Sequence, residues 1–450
     1  MHKMEGTPTL LGLLCFLAHL HVTQSAFVRQ HKYVGEDFFS RWWFWHWPDL
    51  THGHVDYINE TVAKKAGLIN ATEDRAFIGS DMWNKTGGGP RRSVKIYSND
   101  VYQSGLFIIT LDHMPTGCGT WPAFWMVGGN SPKKWPVWGE IDIIESVHET
   151  TRVSTTLHTD EGCDQSGVVA GKDFTGEWET GASNNPASNC DVKAQGQWAN
   201  QGCGQKGPEG TTGAPFNAKG GGTFAMHWDP DKGISTWFFP NGTEPADLTG
   251  DSIWGSSPKP WKWGRPYSHF DLQPKDGSCP KSHFRNMRLV FDLTFCGDMG
   301  SMTFASQCGA QASSMTCEQL VSDHPEAFAD AYWSVRRLDV YQWRERKDVL
   351  SDLSDVMHRV MSTAALPQGG LLRAKPAEPR HLAFMLLLSV PLALPLLGVA
   401  YSCWKRPPWA CHRLLHGGVV PRASYALMSD LVLMESGDDQ DQSAAATAAA

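Results

Sequence analysis

The segment that most constrains the fold of this chain is GEIDIIE, residues 139–145. Its three isoleucines are β-branched, which is typical of a strand, but three acids interrupt them: Glu140, Asp142 and Glu145. Because side chains alternate between the two faces of a strand, Glu140 and Asp142 share a face and Glu145 points away from them. A β-bulge at Ile143 or Ile144 supplies the extra residue that brings Glu145 back beside the other two acids.

Carboxyl groups gathered on one face favour the cleavage of a glycosidic bond, which needs two carboxyl groups with different tasks. In a retaining mechanism one carboxylate attacks the anomeric carbon, while the other first donates and then removes a proton. Neighbouring negative charges raise at least one carboxyl pKa, so that one group stays protonated near neutral pH and acts as the acid. Asp142, between the two glutamates, is placed to hydrogen-bond the nucleophile and tune it. The alternative is a half-exposed strand whose outer face is simply acidic.

Four tryptophans crowd the same region of the sequence. Flat aromatic rings stack on the apolar faces of sugar rings and carry a polar edge, so this crowding favours a saccharide site over an acidic surface. The four are Trp121, Trp125, Trp135 and Trp138.

Two segments, GTWPAFWMVGG (residues 119–129) and WPVWGEIDIIES (residues 135–146), resemble the active-site region of glycoside hydrolase family 16, in particular its fungal-type endo-1,3(4)-β-glucanases, or laminarinases. Other segments resemble the family in the same order, including a T-H-G-x-V-x-Y pattern at residues 51–57 and a hairpin at residues 223–240. The resemblance covers about residues 33–343. Trp138 stands where a smaller or polar residue is common, and Ser146 where many members have glycine.

The resemblance implies a role for each acid: Glu140 is the nucleophile, Glu145 the acid/base and Asp142 the assisting acid. It also implies that His158 faces the catalytic pair and orients the nucleophile or the sugar. The aromatic crowding adds Trp121, Trp125 and Trp138 as sugar-binding candidates. This chemistry needs no cofactor, and no metal site is predicted.

The remaining pattern predicts an all-β domain. From residue 76 short β-rich runs, such as residues 92–97 and 105–111, alternate with Gly, Asn and Asp turns. The aromatic residues 38–47 are predicted to form an early strand, and residues 160–222 a long disulfide-braced loop region. The resemblance implies a β-jelly-roll sandwich of two curved antiparallel sheets with a concave substrate cleft.

Several features predict passage through the secretory route. Residues 1–26 are typical of a signal peptide, with an apolar core and a small-residue cleavage site. Eight cysteines between Cys118 and Cys317 predict disulfides, although the sequence does not choose their pairing. The net charge of −8 and the lack of a Lys/Arg-rich run argue against a nucleic-acid partner. Four N-x-S/T sequons are present, at Asn59, Asn70, Asn84 and Asn241.

The composition changes after the predicted catalytic domain, residues 27–343. Residues 344–381 are typical of a stalk, and residues 382–402 carry no charged side chain and are long enough to span a bilayer of about 30 Å. Basic residues follow directly, which predicts a single-pass protein with a disordered cytoplasmic tail, residues 403–450. We therefore expect a membrane-anchored monomer whose catalytic domain is extracellular or lumenal.

These patterns predict a retaining endo-β-glucanase acting on β-1,3 or mixed β-1,3/1,4-glucans, with a β-glucan polysaccharide as partner. One alternative is a glucan transglycosylase, which passes the glycosyl-enzyme intermediate to another glucan instead of water. The other is a membrane-bound β-glucan receptor without hydrolysis. The presence of all three acids favours catalysis over binding alone.

Overall fold

The computed structural model describes residues 25–129, 135–248, 257–272 and 279–344 of the 450-residue chain. The predicted stalk, membrane span and tail lie outside these residues, apart from Arg344, and so does the predicted signal peptide up to residue 24. Among the described residues, no helix has the length and apolar character needed to cross a membrane.

The described residues are built mainly from strands. The strands are β1 Ala26–Tyr33, β2 Trp42–Trp45, β3 Val55–Tyr57, β4 Ile69–Ala71, β5 Ala76–Gly79, β6 Arg91–Ser93, β7 Lys95–Ser98, β8 Gly105–His113, β9 Thr120–Gly128, β10 Glu140–Glu145, β11 Ser154–His158, β12 Glu177–Trp178, β13 Cys203–Lys206, β14 Gly222–Asp229, β15 Gly233–Pro240, β16 Ser268–Asp271, β17 Met287–Phe295 and β18 Tyr332–Arg344.

Short helices connect and flank the strands. The α-helices are α1 Glu60–Lys65, α2 Gly213–Ala218, α3 Gly297–Gln307, α4 Gly309–Ala312 and α5 Cys317–Asp323. The 3-10 segments are Phe38–Arg41, Pro260–Lys262, Lys281–His283 and Pro325–Phe328. Helix α5 begins with a capping box: the Thr316 hydroxyl accepts a hydrogen bond from the Gln319 backbone N–H, and the Gln319 side chain accepts one from the Thr316 N–H.

The strands form two large antiparallel sheets. One, which we call the acid-bearing sheet, has the order β12-β13-β11-β10-β9-β17-β7-β2. The second sheet has the order β16-β15-β14-β8-β18-β5-β4, with β1 also paired to β18. Strands β3 and β6 make a small parallel pair. This is an all-β, jelly-roll-like fold.

The core lies between the two sheets and explains the alternation along their strands. In the acid-bearing sheet, Phe124 of β9 and Phe291 of β17 are fully buried, with ring centroids 4.5 Å apart. Phe291 also meets Trp333 of the second sheet at 5.6 Å. Because every second side chain of the acid-bearing sheet is used in this way, the intervening ones are left to form its other face.

The structure settles the pairing of the cysteines. The eight between Cys118 and Cys317 form four disulfides: Cys118–Cys308, Cys163–Cys279, Cys190–Cys203 and Cys296–Cys317. The first and last attach the helical segment α3–α5 to the ends of β9 and β17, where it covers a small separate hydrophobic cluster. The other two brace residues 160–222, as predicted, but this region is not all loop, since it contains β12, β13 and α2.

Two local predictions need correction, and one helical segment was not predicted. Residues 38–47 are not one strand, since Phe38–Arg41 is a 3-10 segment and only Trp42–Trp45 is extended. Residues 92–97 divide into β6 and β7, which join different sheets at either side of the buried Val94. The α3–α5 segment was not predicted, because its helices are short and take their stability from disulfides and tertiary packing rather than from helical periodicity.

Candidate active site

The three acids of β10 lie on one face of the acid-bearing sheet, and a β-bulge puts them there. Asp142 pairs with Trp125 of β9 and Ile144 pairs with Phe124, so Ile143 is the extra residue. As a result the acids oppose every second residue of β9, which shares one face. Their partners are Val127 for Glu140, Trp125 for Asp142 and Ala123 for Glu145. The predicted bulge is confirmed, and the structure selects Ile143.

A glycine fixes the start of this strand. Gly139, directly before Glu140, has a φ of +74°, in the left-handed region that other residues disfavour. A Cβ at this position would also lie 2.6 Å from the backbone oxygen of His283. The turn before Glu140 therefore requires glycine, because of both its backbone conformation and the close approach of His283.

Each glutamate accepts a hydrogen bond from a tryptophan. The indole N–H of Trp121 donates to Glu145 Oε1 at 2.8 Å, and that of Trp135 donates to Glu140 Oε2 at 2.9 Å. Trp121 is half-buried, whereas Trp135 is 46% exposed. Sequence reasoning placed Trp135 in the crowded stretch but gave it no contact with an acid. The sequence feature that could have indicated this contact is the position of Trp135 five residues before Glu140.

His158 stands opposite Glu140 on the neighbouring strand β11. Its Nε2 lies 3.1 Å from Asp142 Oδ2 and 3.9 Å from Glu140 Oε1. The contact between His158 Nε2 and Asp142 Oδ2 has the distance of an ion pair but not the angle of a hydrogen bond. Within the described part of the chain, Asp142 Oδ2 is therefore buried without a hydrogen-bond partner, and so is the other ring nitrogen of His158, Nδ1. His158 therefore faces the acid cluster, as the resemblance implied.

Burial and neighbouring negative charges raise the pKa of all three carboxyls. Burial, followed by the charge of Asp142, raises the pKa of Glu140 to about 8 and that of Glu145 to about 8. Burial, followed by the charge of Asp292, raises the pKa of Asp142 well above its ordinary value. The two indole N–H groups act in the opposite direction, because they stabilise the ionised glutamates. The cluster therefore holds at least one proton near neutral pH.

The same groups are close enough to hold a cation. Ligand atoms of Glu140, Asp142 and His158 all lie within 4.8 Å of one another. Acid–base cleavage of a glycoside needs a carboxylate and a proton from these groups, and no metal ion enters that chemistry.

The face that carries the acids is aromatic on one side of β10. Trp125 is half-buried beside Asp142, and its ring lies 6.4 Å from that of Tyr97 on β7. Tyr97 in turn stacks on Trp43 of β2, with ring centroids 4.5 Å apart at 12°. Trp45 lies next in this row, 6.0 Å from Tyr97. The rings extend from the acids to the edge of the sheet.

On the other side of β10 the face is polar. Ser154 and Thr156 of β11 oppose Glu145 and Asp142. The Ser154 hydroxyl donates to Glu179 Oε1, and the negative charge of Glu179 contributes to the raised pKa of Glu145. This face of the acid-bearing sheet, which we call the groove, thus offers ring stacking on one side of the acids and hydrogen bonding on the other.

Trp138 is the sugar-binding candidate that the structure places least directly. It is half-buried, and its backbone packs so closely on Gly128 that a Cβ at Gly128 would lie 2.5 Å from the Trp138 backbone oxygen. Trp121 and Trp125, by contrast, lie on the same strand face as the partners of the acids.

Comparisons with known proteins agree with this geometry. Residues 42–341 match the family profile described as "XgeA-like, catalytic GH16 domain". The chain is 36% identical, over 335 residues, to an endo-1,3(4)-beta-glucanase of Arthroderma benhamiae, with 74% of this chain and 68% of that protein covered.

Two solved structures are similar over the whole of their chains. Laminarinase 16A of Phanerochaete chrysosporium, solved with β-glucans in both donor and acceptor sites, is 32% identical with a TM-score of 0.62 and covers 71% of this chain. An elongating family 16 β-1,3-glucosyltransferase is 32% identical with a TM-score of 0.61 and covers 70%. On the profile match, the identity and the shared fold, this chain belongs to glycoside hydrolase family 16.

Proposed function

We propose that this chain is a retaining endo-β-glucanase that hydrolyses β-1,3 or mixed β-1,3/1,4-glucans, with Glu140 as nucleophile and Glu145 as acid/base. The observation that carries the proposal is the bulge at Ile143, which turns Glu145 to the face that bears Glu140. The endo-1,3(4)-beta-glucanase and laminarinase relatives support the choice of substrate.

In the first step the Glu140 carboxylate attacks the anomeric carbon while the glycosidic C–O bond breaks. Glu145 transfers its proton to the departing oxygen, so the first product leaves as an alcohol. In the second step the Glu145 carboxylate removes a proton from water, and the resulting hydroxide oxygen bonds to the anomeric carbon as the bond to Glu140 breaks. Both enzyme carboxyls then return to their starting states.

The surroundings of the two glutamates favour this division of tasks. The imidazole of His158 and the indole N–H of Trp135 both favour the ionised form of Glu140. Glu145 also has a tryptophan donor, and the charge of His158 acts on it as well, but it meets in addition the negative charge of Glu179, which favours its protonated form. Asp142 is the most strongly buried of the three acids, and burial raises its pKa well above the ordinary value.

The test is Glu140→Gln in the fragment of residues 27–343. We expect this variant to lose reducing-end release from laminarin by about three orders of magnitude or more while still binding laminarin, because the amide cannot form the glycosyl-enzyme. The exposed Glu73→Gln is the matched control. In NMR of the wild-type reaction, the first product is expected as the β-anomer. Full activity of Glu140→Gln, or an α-anomer first, would refute the mechanism.

Transglycosylation is the second candidate, favoured by the similarity to the elongating glucosyltransferase. It uses the same two glutamates and differs only in the acceptor of the second step. Product analysis separates the two: oligosaccharides longer than the starting material indicate transfer, and shorter ones alone indicate hydrolysis. A receptor without hydrolysis would bind laminarin and release nothing.

We also propose that the domain is extracellular or lumenal, monomeric, and anchored by a single span at residues 382–402. The four disulfides support an oxidising compartment, and the asparagines of all four sequons are exposed. Removal of residues 344–450 is expected to release a glycosylated, monomeric enzyme into the medium, whereas the full chain stays with carbonate-washed membranes. Recovery of the full chain in the soluble fraction would contradict the anchor.

A further inference from the structure

A second group of charges is buried among the aromatic side chains on the same face of the sheet as the acids. The Lys95 ammonium lies 3.3 Å from Asp292 Oδ2 and 3.9 Å from Asp49 Oδ1. All three side chains are at most 8% exposed. We call these three residues the lysine triad. With Lys95 protonated and both aspartates ionised, the lysine triad carries a net charge of −1.

The lysine triad lies in the same row of the sheet as the proposed acid/base. Lys95 of β7 pairs with Asp292 of β17, Asp292 pairs with Ala123 of β9, and Ala123 pairs with Glu145. Ala123 has too small a side chain to separate the charges on either side of it. Asp292 is therefore about 10 Å from Glu145, two strand spacings away, and its charge also raises the pKa of Asp142.

The lysine also holds an aromatic ring of the groove. Its Nζ lies 5.1 Å from the centre of the Trp125 ring and 5.5 Å from that of Tyr57, both within cation–π range. Trp125 pairs with Asp142, so the ring that Lys95 contacts is the first ring beside the acids. The Tyr57 hydroxyl is itself fixed by a short hydrogen bond with Thr294.

A purely structural role explains less of this arrangement. The backbone ladder already joins β7 to β17, and a buried ion pair is on average no more stabilising than apolar side chains of similar volume. A structural pair also has no need of a third charge. Asp49 is held toward the lysine by three hydrogen bonds to its other carboxylate oxygen, from the Thr51 N–H, the Thr51 hydroxyl and the Gly53 N–H.

We propose that Lys95 is a positioning residue of the active site, which fixes the Trp125 ring and, with Asp292, sets the charge of the groove floor beside Glu145. This inference rests on the proposed function, because it assigns Glu145 the proton that limits activity at high pH. Neither residue touches the reacting atoms, and both act through Trp125 and Glu145.

The sign of the effect follows from the charge count. Replacing Asp292 by asparagine takes the lysine triad from −1 to 0, which favours ionisation of Glu145. Replacing Lys95 by methionine as well returns it to −1. The other titratable or charged groups facing this part of the groove are unchanged in both variants: Glu140 and Asp142 of β10, His158 of β11, Tyr57 of β3, Tyr97 of β7 and Glu179 beyond β12.

The test compares Asp292→Asn with the double variant Lys95→Met/Asp292→Asn. For Asp292→Asn we expect the alkaline limb of kcat/KM on laminarin oligosaccharides to fall by about one pH unit, from a unit charge at about 10 Å and an effective dielectric constant of about 20. The double variant is expected to return that limb to the wild-type position. Its KM is expected to rise about threefold or more, because Trp125 has lost its cation.

Two controls keep the result decisive. Asp56→Asn, at an exposed carboxyl of β3, is expected to change neither limb nor KM. Thermal unfolding of each variant establishes that it is folded at the assay temperature. If Asp292→Asn leaves the limb in place, or the double variant shifts it as far as the single one, the proposal is overturned. A wild-type protein without hydrolysis refutes the proposed function instead.

Discussion

Trp135 and Trp121 each donate one hydrogen bond to one glutamate, so replacing each by phenylalanine tests the two glutamates separately. The change keeps an aromatic ring and removes the N–H that stabilises the ionised carboxylate. In Trp135→Phe the pKa of Glu140 therefore rises, and in Trp121→Phe that of Glu145 rises. If Glu140 must be ionised and Glu145 protonated, the first variant moves the acidic limb of kcat/KM and the second moves the alkaline limb.

The magnitudes follow from burial. A hydrogen bond to a charged group contributes about 1.5–3 kcal/mol when it is shielded from water. Trp135 is 46% exposed, and water replaces much of what its N–H provides. We expect about 1 kcal/mol there, which is about 0.7 pH unit and about a fivefold loss of kcat/KM below the acidic limb. Trp121 is half-buried, and about 2 kcal/mol moves the alkaline limb upward by about 1.5 pH units.

The assay is the pH dependence of kcat/KM on a β-1,3-glucan oligosaccharide, which reports the ionisations of the free enzyme. Both variants are measured beside wild type in the same buffers and at one ionic strength. Movement of the acidic limb by Trp121→Phe and of the alkaline limb by Trp135→Phe would mean that the two glutamates have exchanged roles. Movement of neither limb would remove both from the rate-limiting ionisations.

Three further predictions concern stability and binding. The pKa of Glu145 is 4.5 in the unfolded chain and about 8 in the folded protein, so its carboxyl lowers the stability as the pH rises through that interval. Glu145→Gln should therefore melt above wild type at pH 8 and close to it at pH 4, whereas Glu73→Gln should be unchanged. Equal melting of Glu145→Gln and wild type at pH 8 would contradict the burial of that charge. The Cys118–Cys308 disulfide spans 190 residues and Cys190–Cys203 spans 13. Replacing the first pair by alanine should therefore lower the free energy of unfolding by about 5 kcal/mol and the second by about 3 kcal/mol, and the reverse order in urea titrations would contradict loop-closure entropy. Trp43→Ala should lower kcat/KM for long oligosaccharides about fivefold, because it removes about 1 kcal/mol of aromatic contact. Trp83→Ala, at a 59% exposed side chain, should leave kcat/KM unchanged. A wild-type value for Trp43→Ala would exclude that ring from the groove.

Much of the site could be predicted from the sequence because its chemistry is local. Alternation along a strand, together with the spacing of Glu140, Asp142 and Glu145, requires one extra residue if all three are to share a face. The same stretch carries Trp121 and Trp125. The existence of disulfides followed from the even number of cysteines, since it depends on composition alone.

Other features depend on sheet register and were decided only by the tertiary structure. Either Ile143 or Ile144 satisfied the alternation, and pairing with β9 selected Ile143. The disulfide pairing was likewise open, since any cysteine is compatible with any other until the strands are placed. The helices α3–α5 were missed because they depend on those disulfides rather than on a periodic pattern.

The lysine triad is the clearest case of what the sequence alone does not reveal. Lys95 and Asp292 are nearly two hundred positions apart in the sequence. Neither lies in a local sequence pattern that predicts a buried charge near the active site. They meet because β7 and β17 are neighbours in the acid-bearing sheet and pair in one register. The sequence by itself determined which acids are the candidates for the chemistry. The order of strands determined which distant charges surround them, because electrostatic contact depends on distance in space and not on distance along the chain.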